Sequence, residues 1–351
     1  MQWDLFCRVV DNFGDIGVCW RLAADLATRG EQVRLWIDDD AALAWMAPGG
    51  AANVSVRHWP ADNHTMPAEP GDVVIEAFGC TLPPAFVQRM VEATRAPVWI
   101  NLEYLSAEGF AERGHRLPSP QANGLRKWFF YPGFSTRTGG LIRERDLLQR
   151  QRAFDPAAWL AACGVQRLPG EQVVSLFCYE QAALPALLDQ WAGTPTLLLA
   201  TAGQAATQVL DSLGPALARG ALRAVLLPAL TQRQYDELLW ASDLDFVRGE
   251  DSFVRAQWAG KPFVWQIYAQ DDGAHQAKLN AFLDLFLADA EPALSAQVRA
   301  AFDQWNATGP AFTQPLARDD AWRHHCAVWR DKLLAQTDLS TQLLGFVAET
   351  G

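Results

Sequence analysis

Residues 3–22 read Trp3-Asp4-Leu5-Phe6-Cys7-Arg8-Val9-Val10-Asp11-Asn12-Phe13-Gly14-Asp15-Ile16-Gly17-Val18-Cys19-Trp20-Arg21-Leu22. Bulky and β-branched side chains over residues 3–10 predict a strand, and apolar positions recur at helical spacing from about residue 17 to 29. Residues 32–37 return to the strand pattern. Strand, polar turn, helix and second strand in immediate succession form the unit from which a parallel sheet covered by helices is built.

The alternation continues outward from this unit. Residues 72–77 and 97–102 predict strands around a helix over 84–93, and Val98, Trp99 and Ile100 suit a strand buried on both faces. Residues 113–140, with Gly, Pro and the aromatic cluster Trp128, Phe129, Phe130, Tyr131 and Phe134, interrupt the rhythm and predict a structured loop lining a cleft. Strands over 173–179, 196–200 and 222–227, with helices near 184–191 and 207–217, then predict a second α/β domain. The boundary is expected between about 151 and 170, where charged residues, Pro156 and Pro169-Gly170 separate the two rhythms. Drawn after residue 155, it gives domains of 1–155 and 156–351, the helical, Trp-rich tail after residue 318 being expected near their junction.

A chain of 351 residues, half of them hydrophobic, suits two cores of ordinary size. A formal charge of −11 argues against general affinity for nucleic acid or an anionic membrane, which bind through accumulated Lys and Arg. The six cysteines never form a CxxC and the N-terminus shows no basic, apolar leader, so a reduced, cytoplasmic protein is expected. No apolar run is long enough to span a bilayer. The 15 tryptophans suit core and inter-domain packing as well as sugar stacking.

Open α/β sheets bind ligands at strand carboxyl ends, which places the turn from Asp11 to Gly17 at a site. Gly14 and Gly17 permit a tight turn and close approach, while Asp11 and Asp15 suit acid/base work or a cation; alternatively Asp15 caps the helix and Asp11 shapes the turn. A dinucleotide site requires GxGxxG here, and only GxxG is present with a carboxylate inside it, so an acceptor is the better occupant. Asp38-Asp39-Asp40 reads as a solvated loop rather than a metal-binding DxD, His58 and His64 as loop residues, and Cys178 as a packed thiol. No metal or cofactor is expected.

The second constellation lies between residues 231 and 267: Gln232, the helical positions Tyr235, Leu238 and Leu239, a strand over 243–247, Arg248-Gly249-Glu250-Asp251-Ser252, a helix, and Gly260-Lys261-Pro262 before another strand. This order resembles the donor domain of GT-B glycosyltransferases. Ser252 can cap the helix, whose free N–H groups and dipole would receive a diphosphate. Arg248 would add a charge-assisted contact, and Glu250 or Asp251 could accept from sugar hydroxyls. A capped helix with an internal Arg–Glu pair is the plainer alternative. Phe177 and Tyr179, on a strand end at period two, could sandwich a nucleobase or simply fill the core.

The block from Phe6 to Leu22, Phe130-Tyr131-Pro132-Gly133-Phe134 with Thr138-Gly139-Gly140-Leu141-Ile142-Arg143-Glu144, the stretch from Ser175 to Glu180, and Arg248 to Ser252 together resemble the EarP family over nearly the whole chain. These are bacterial protein-arginine rhamnosyltransferases of translation elongation factor P. The resemblance implies a GT-B fold, two Rossmann-like domains facing across a cleft. It implies inverting transfer of L-rhamnose from dTDP-β-L-rhamnose to an arginine of elongation factor P, which rescues ribosomes stalled at polyproline. Asp15 would be the catalytic carboxylate, with Asp11 assisting at the acceptor, Asn12, Phe13, Gly14 and Gly17 lining that side, and Glu250 near the sugar. Phe177, Tyr179, Gln232, Arg248, Asp251 and Ser252 would hold the dTDP part. Elongation factor P is expected to be acidic in this family, as this chain is, so docking would rest on local complementarity. A GT-B enzyme for another acceptor, or a non-catalytic protein docking elongation factor P, are the competing readings.

Overall fold

The computed structural model of the chain describes residues 1–10, 13–59, 68–269, 273–306, 316 and 319–351. Two compact units emerge: Met1–Leu147 together with Leu334–Gly351, and Leu148–Leu333.

The first unit runs β1 (Gln2–Cys7), α1 (Gly14–Thr28), β2 (Gln32–Ile37), α2 (Leu43–Met46), β3 (Val54–His58), β4 (Val73–Ala77), α3 (Pro84–Glu92), β5 (Val98–Leu102), α4 (Gly109–Gly114), β6 (Pro118–Pro120) and β7 (Arg126–Phe130). Its sheet has the order β3-β2-β1-β4-β5-β7-β6, parallel except for the β6–β7 pair. After β1 the chain first builds outward through β2 and β3, then crosses back to place β4 on the other side of β1. That reversal opens a crevice at the carboxyl ends of β1 and β4. Beneath it, Phe6, Trp36, Trp59, Val74, Phe86 and Trp99 pack into one apolar cluster.

The strand expected over residues 3–10 ends at Cys7. Beyond it the Val9 and Val10 amides donate to Asp38 Oδ1 at 2.9 Å and Asp15 Oδ2 at 2.8 Å, so carboxylates replace the ladder and the chain turns out. The helix expected from residue 17 starts at Gly14, so Gly14 and Gly17 are helical and the turn precedes them. The loop expected over 113–140 contains β6 and β7, and Trp128, Phe129 and Phe130 are strand residues. His58 closes β3 rather than lying in a loop, and His64 falls outside the described residues.

The second unit runs α5 (Leu147–Ala153), α6 (Pro156–Ala162), β8 (Gln172–Leu176), α7 (Leu184–Trp191), β9 (Thr196–Ala200), α8 (Gln204–Leu213), β10 (Ala218–Arg219), β11 (Leu222–Leu226), α9 (Gln232–Ala241), β12 (Leu244–Arg248), α10 (Asp251–Ala259), β13 (Phe263–Gln266), α11 (Ala274–Phe286), α12 (Pro292–Trp305) and α13 (Asp320–Leu334). The order β10-β11-β9-β8-β12-β13 is parallel apart from the β10–β11 pair, and the chain again reverses direction beside its central strand, β8. Phe253 stacks on Trp265 at 3.9 Å between centroids, and Phe282, Phe286 and Trp329 extend that core. None of the tryptophans is exposed, which favours the packing role for them.

The last helix, α14 (Leu339–Thr350), packs on the first unit. Phe346 meets Trp128 and Phe130 at 5.3 and 5.8 Å, Asp338 pairs with Arg29 at 2.8 Å, and the Leu339 amide donates to the Leu141 carbonyl at 3.0 Å. Gly140 adopts φ +70, where a side chain would strike the Thr337 carbonyl. The division drawn at 155/156 therefore differs from the compact units at both ends: α5 belongs almost wholly to the second, and residues from 334 onward to the first. Contacts of this kind join positions too far apart in sequence to show in a local pattern.

Candidate functional site

In the first unit, the crevice at the end of β1 is lined from three strands. Asp15, on the first turn of α1, is 2% exposed. The Val10 amide donates to its Oδ2 at 2.8 Å and the Tyr104 hydroxyl to its Oδ1 at 3.3 Å. A carboxylate there is favoured by the positive end of the helix dipole. Phe13 occupies the cap position of α1, its side chain making no cap bond, so Asp15 is not the cap residue; it ties the preceding turn to the helix. The Phe13 ring sits edge-on to Trp45 at 5.1 Å, and its carbonyl accepts the Gly17 amide at 3.0 Å. Asp11 and Asn12 lie outside the described residues.

Tyr104 is a residue that strand and helix patterns did not single out. It stands just past the carboxyl end of β5, the position from which parallel sheets present site residues, and that position was the available signal. Asp38 accepts from the Val9 and Asp39 amides and pairs with Arg8 at 3.8 Å, so it secures the loop after β1. Among the described residues no group of three His, Cys, Asp or Glu side chains could hold a metal ion. Burial pushes the Cys19 and Cys80 thiols well up, holding both protonated behind the crevice.

In the second unit, Phe177 and Tyr179 lie beyond the end of β8 rather than within it. They still share a side: the Arg248 guanidinium, at the end of β12, is 4.4 Å from the Phe177 ring centre and 4.2 Å from that of Tyr179. Tyr235 and Tyr268 meet the two rings edge-on at 5.5 and 5.6 Å. Gly249, at φ +61, turns the chain from β12 into α10.

The expected cap on α10 is absent. Glu250 takes the cap position and its side chain makes no cap bond to the helix, and Ser252 is the second residue inside the helix. Its hydroxyl accepts the Arg248 amide at 2.9 Å and donates to the Arg248 carbonyl, so it fixes the turn that carries the guanidinium. Gln232, opening α9, donates to Asp251 Oδ2 at 3.4 Å. One cluster thus collects Phe177, Tyr179, Gln232, Arg248, Asp251 and Ser252, with Glu250 on the same turn. Cys178 is packed among them, burial pushing its thiol up to about 12 against the opposing pull of Arg248. A cation between aromatic faces at a helix start is suited to an anionic, ring-bearing ligand.

The chain matches the family described as "Elongation-Factor P (EF-P) rhamnosyltransferase EarP" over residues 3–348. A protein-arginine rhamnosyltransferase of Pseudomonas aeruginosa is 44% identical to it, covering 99% of each chain. A solved structure described as "Structural basis for EarP-mediated arginine glycosylation of translation elongation factor EF-P" superposes with a TM-score of 0.70 at 32% identity, over 100% of this chain and 99% of that one. The glycosyltransferase VinC, solved in complex with dTDP, superposes over 100% of both chains with a TM-score of 0.56 at 13% identity. That likeness concerns fold alone, and the fold is GT-B, with two Rossmann-like units.

Proposed function

The chain belongs to the EarP family of elongation factor P rhamnosyltransferases, and from that membership we propose that it transfers L-rhamnose from dTDP-β-L-rhamnose to an arginine nitrogen of elongation factor P. Transfer inverts the anomeric carbon and takes place in the cytoplasm; on the resemblance, the modified factor then rescues polyproline-stalled ribosomes. The observation that carries this reading is Asp15, a carboxylate buried at the mouth of the first sheet with one oxygen fixed by the Val10 amide.

A guanidinium has a pKa above about 12 and delocalised lone pairs, so it is hardly a nucleophile unaided. Asp15 pairs with it, aims one nitrogen, and takes that nitrogen's proton as the bond to the anomeric carbon forms. The bond from that carbon to the diphosphate oxygen breaks in the same displacement, and its electron pair leaves with dTDP. Arg248 and the start of α10 receive the developing charge, which makes a metal unnecessary. Asp11 assists the acceptor and Glu250 the sugar.

The rings of Phe177 and Tyr179 serve the nucleotide, and through their contact with Arg248 they also aim the cation. No helix among the described residues is long and apolar enough to cross a membrane. The test is mass spectrometry of elongation factor P incubated with this protein and dTDP-rhamnose in the presence of EDTA. A gain of one deoxyhexose on an arginine-containing peptide is expected; transfer only with added divalent metal would overturn the metal-free step.

A further inference from the structure

Two of the groups that hold Asp15 differ in strength. The Val10 amide is the closer, at 2.8 Å; the Tyr104 hydroxyl stands 3.3 Å from the other oxygen, longer than the 2.7–2.8 Å usual for such bonds. Tyr104 is 37% exposed, whereas Asp15 is 2% exposed. Its ring lies on Phe78, with centroids 4.4 Å apart and planes 15° from parallel. Phe78 follows β4 at φ +59, in the left-handed region, and its amide donates to the Leu102 carbonyl at 2.7 Å. A bulky residue enters that region at a cost, and such outliers collect where geometry serves a site. The ends of β4 and β5 are thus locked together in a conformation whose product is one tyrosine hydroxyl placed on Asp15.

We propose that Tyr104 is a positioning residue for the transfer reaction, holding Asp15 Oδ1 so that the carboxylate meets the acceptor guanidinium in one orientation. The inference rests on the reading of Asp15 as the proton acceptor. Tyr104 keeps its own proton throughout; the proton released by the guanidinium goes to Asp15. Because the hydroxyl is held at longer range than the amide, it steers the carboxylate while leaving Oδ1 able to accept an incoming N–H.

Tyr104→Phe removes the hydroxyl and retains the ring on Phe78. Expected are an unchanged melting temperature, dTDP-rhamnose affinity and KM for elongation factor P, with kcat lower on the order of tenfold, as for a misplaced reacting group. In the Asp15→Asn background the same substitution should change the residual rate less than twofold, because the group it acts through is already neutral. Unaltered kcat in Tyr104→Phe alongside a crippled Asp15→Asn would sink the positioning role and leave the Asp15 reading standing. An equal fall in both backgrounds, or a rise in KM at unchanged kcat, would also overturn it. Near-normal turnover by Asp15→Asn would remove both readings together.

Discussion

Arg248 is 8% exposed and lies over Phe177 and Tyr179, so the two rings have two routes to a nucleotide: stacking on the base, and aiming the cation that meets the diphosphate. Phe177→Ala and Tyr179→Ala are each expected to weaken dTDP binding by about 1–3 kcal/mol. Thymidine, which lacks the diphosphate, separates the routes. Calorimetry in which thymidine and dTDP weaken together marks stacking, and loss for dTDP alone marks the aim of Arg248. Unchanged dTDP affinity in folded variants would return the rings to packing. Asp15 and Arg248 were legible because each lies where a strand gives way to a helix, Asp15 on the first turn of α1 and Arg248 at the end of β12. The tie made by Ser252 was not, because a serine at a helix start can be its cap or its second residue, and the backbone over residues 248–252 decides which.

Strand β12 carries a buried acid through the second core. Asp245 accepts from Ser175 on β8 at 2.6 Å, and burial raises its pKa from 3.8 to about 7, despite that bond and the Lys261 ammonium. The folded chain therefore holds this proton more tightly than the unfolded one between about pH 4 and 7. Within that window rising pH lowers stability; below it there is no penalty, and above it the penalty is complete. Asp245→Asn keeps an acceptor for Ser175 and should flatten the profile, stabilising the protein at pH 8 by on the order of 1–3 kcal/mol. Thermal melts across pH 4–8 check this, and parallel curves for parent and variant would contradict it. Most strands of both sheets were visible from their apolar runs, yet β7 was mistaken for loop. On its outer side it pairs only with the short, proline-flanked β6, and Trp128-Phe129-Phe130 showed no polar alternation because α14 covers part of it.

At the scale of the molecule, the C-terminal helix closes the first unit from the far end of the chain. Phe346 is 2% exposed, packed on Trp128 and Phe130 with the Arg116 guanidinium 4.8 Å from its ring. Phe346→Ala should cost about 3–5 kcal/mol, seen as loss of near-ultraviolet signal at lower temperature, with dTDP affinity retained at low temperature because the nucleotide cluster belongs to the second unit. Equal weakening of dTDP binding would show that the units do not divide the work in this way. The sequence alone separated two α/β rhythms, but no local pattern assigns a tail to partners as distant in the chain as Trp128 and Phe130 are from Phe346. The most direct measurement is single-turnover transfer from dTDP-rhamnose to elongation factor P by the parent and by Asp15→Asn, with donor affinity and melting temperature taken on the same samples. An amide keeps an acceptor for the Val10 N–H and removes the charge, so near-parent stability and donor binding are expected with transfer slower by roughly 10²–10⁴; transfer at the parent rate would contradict the role given to Asp15.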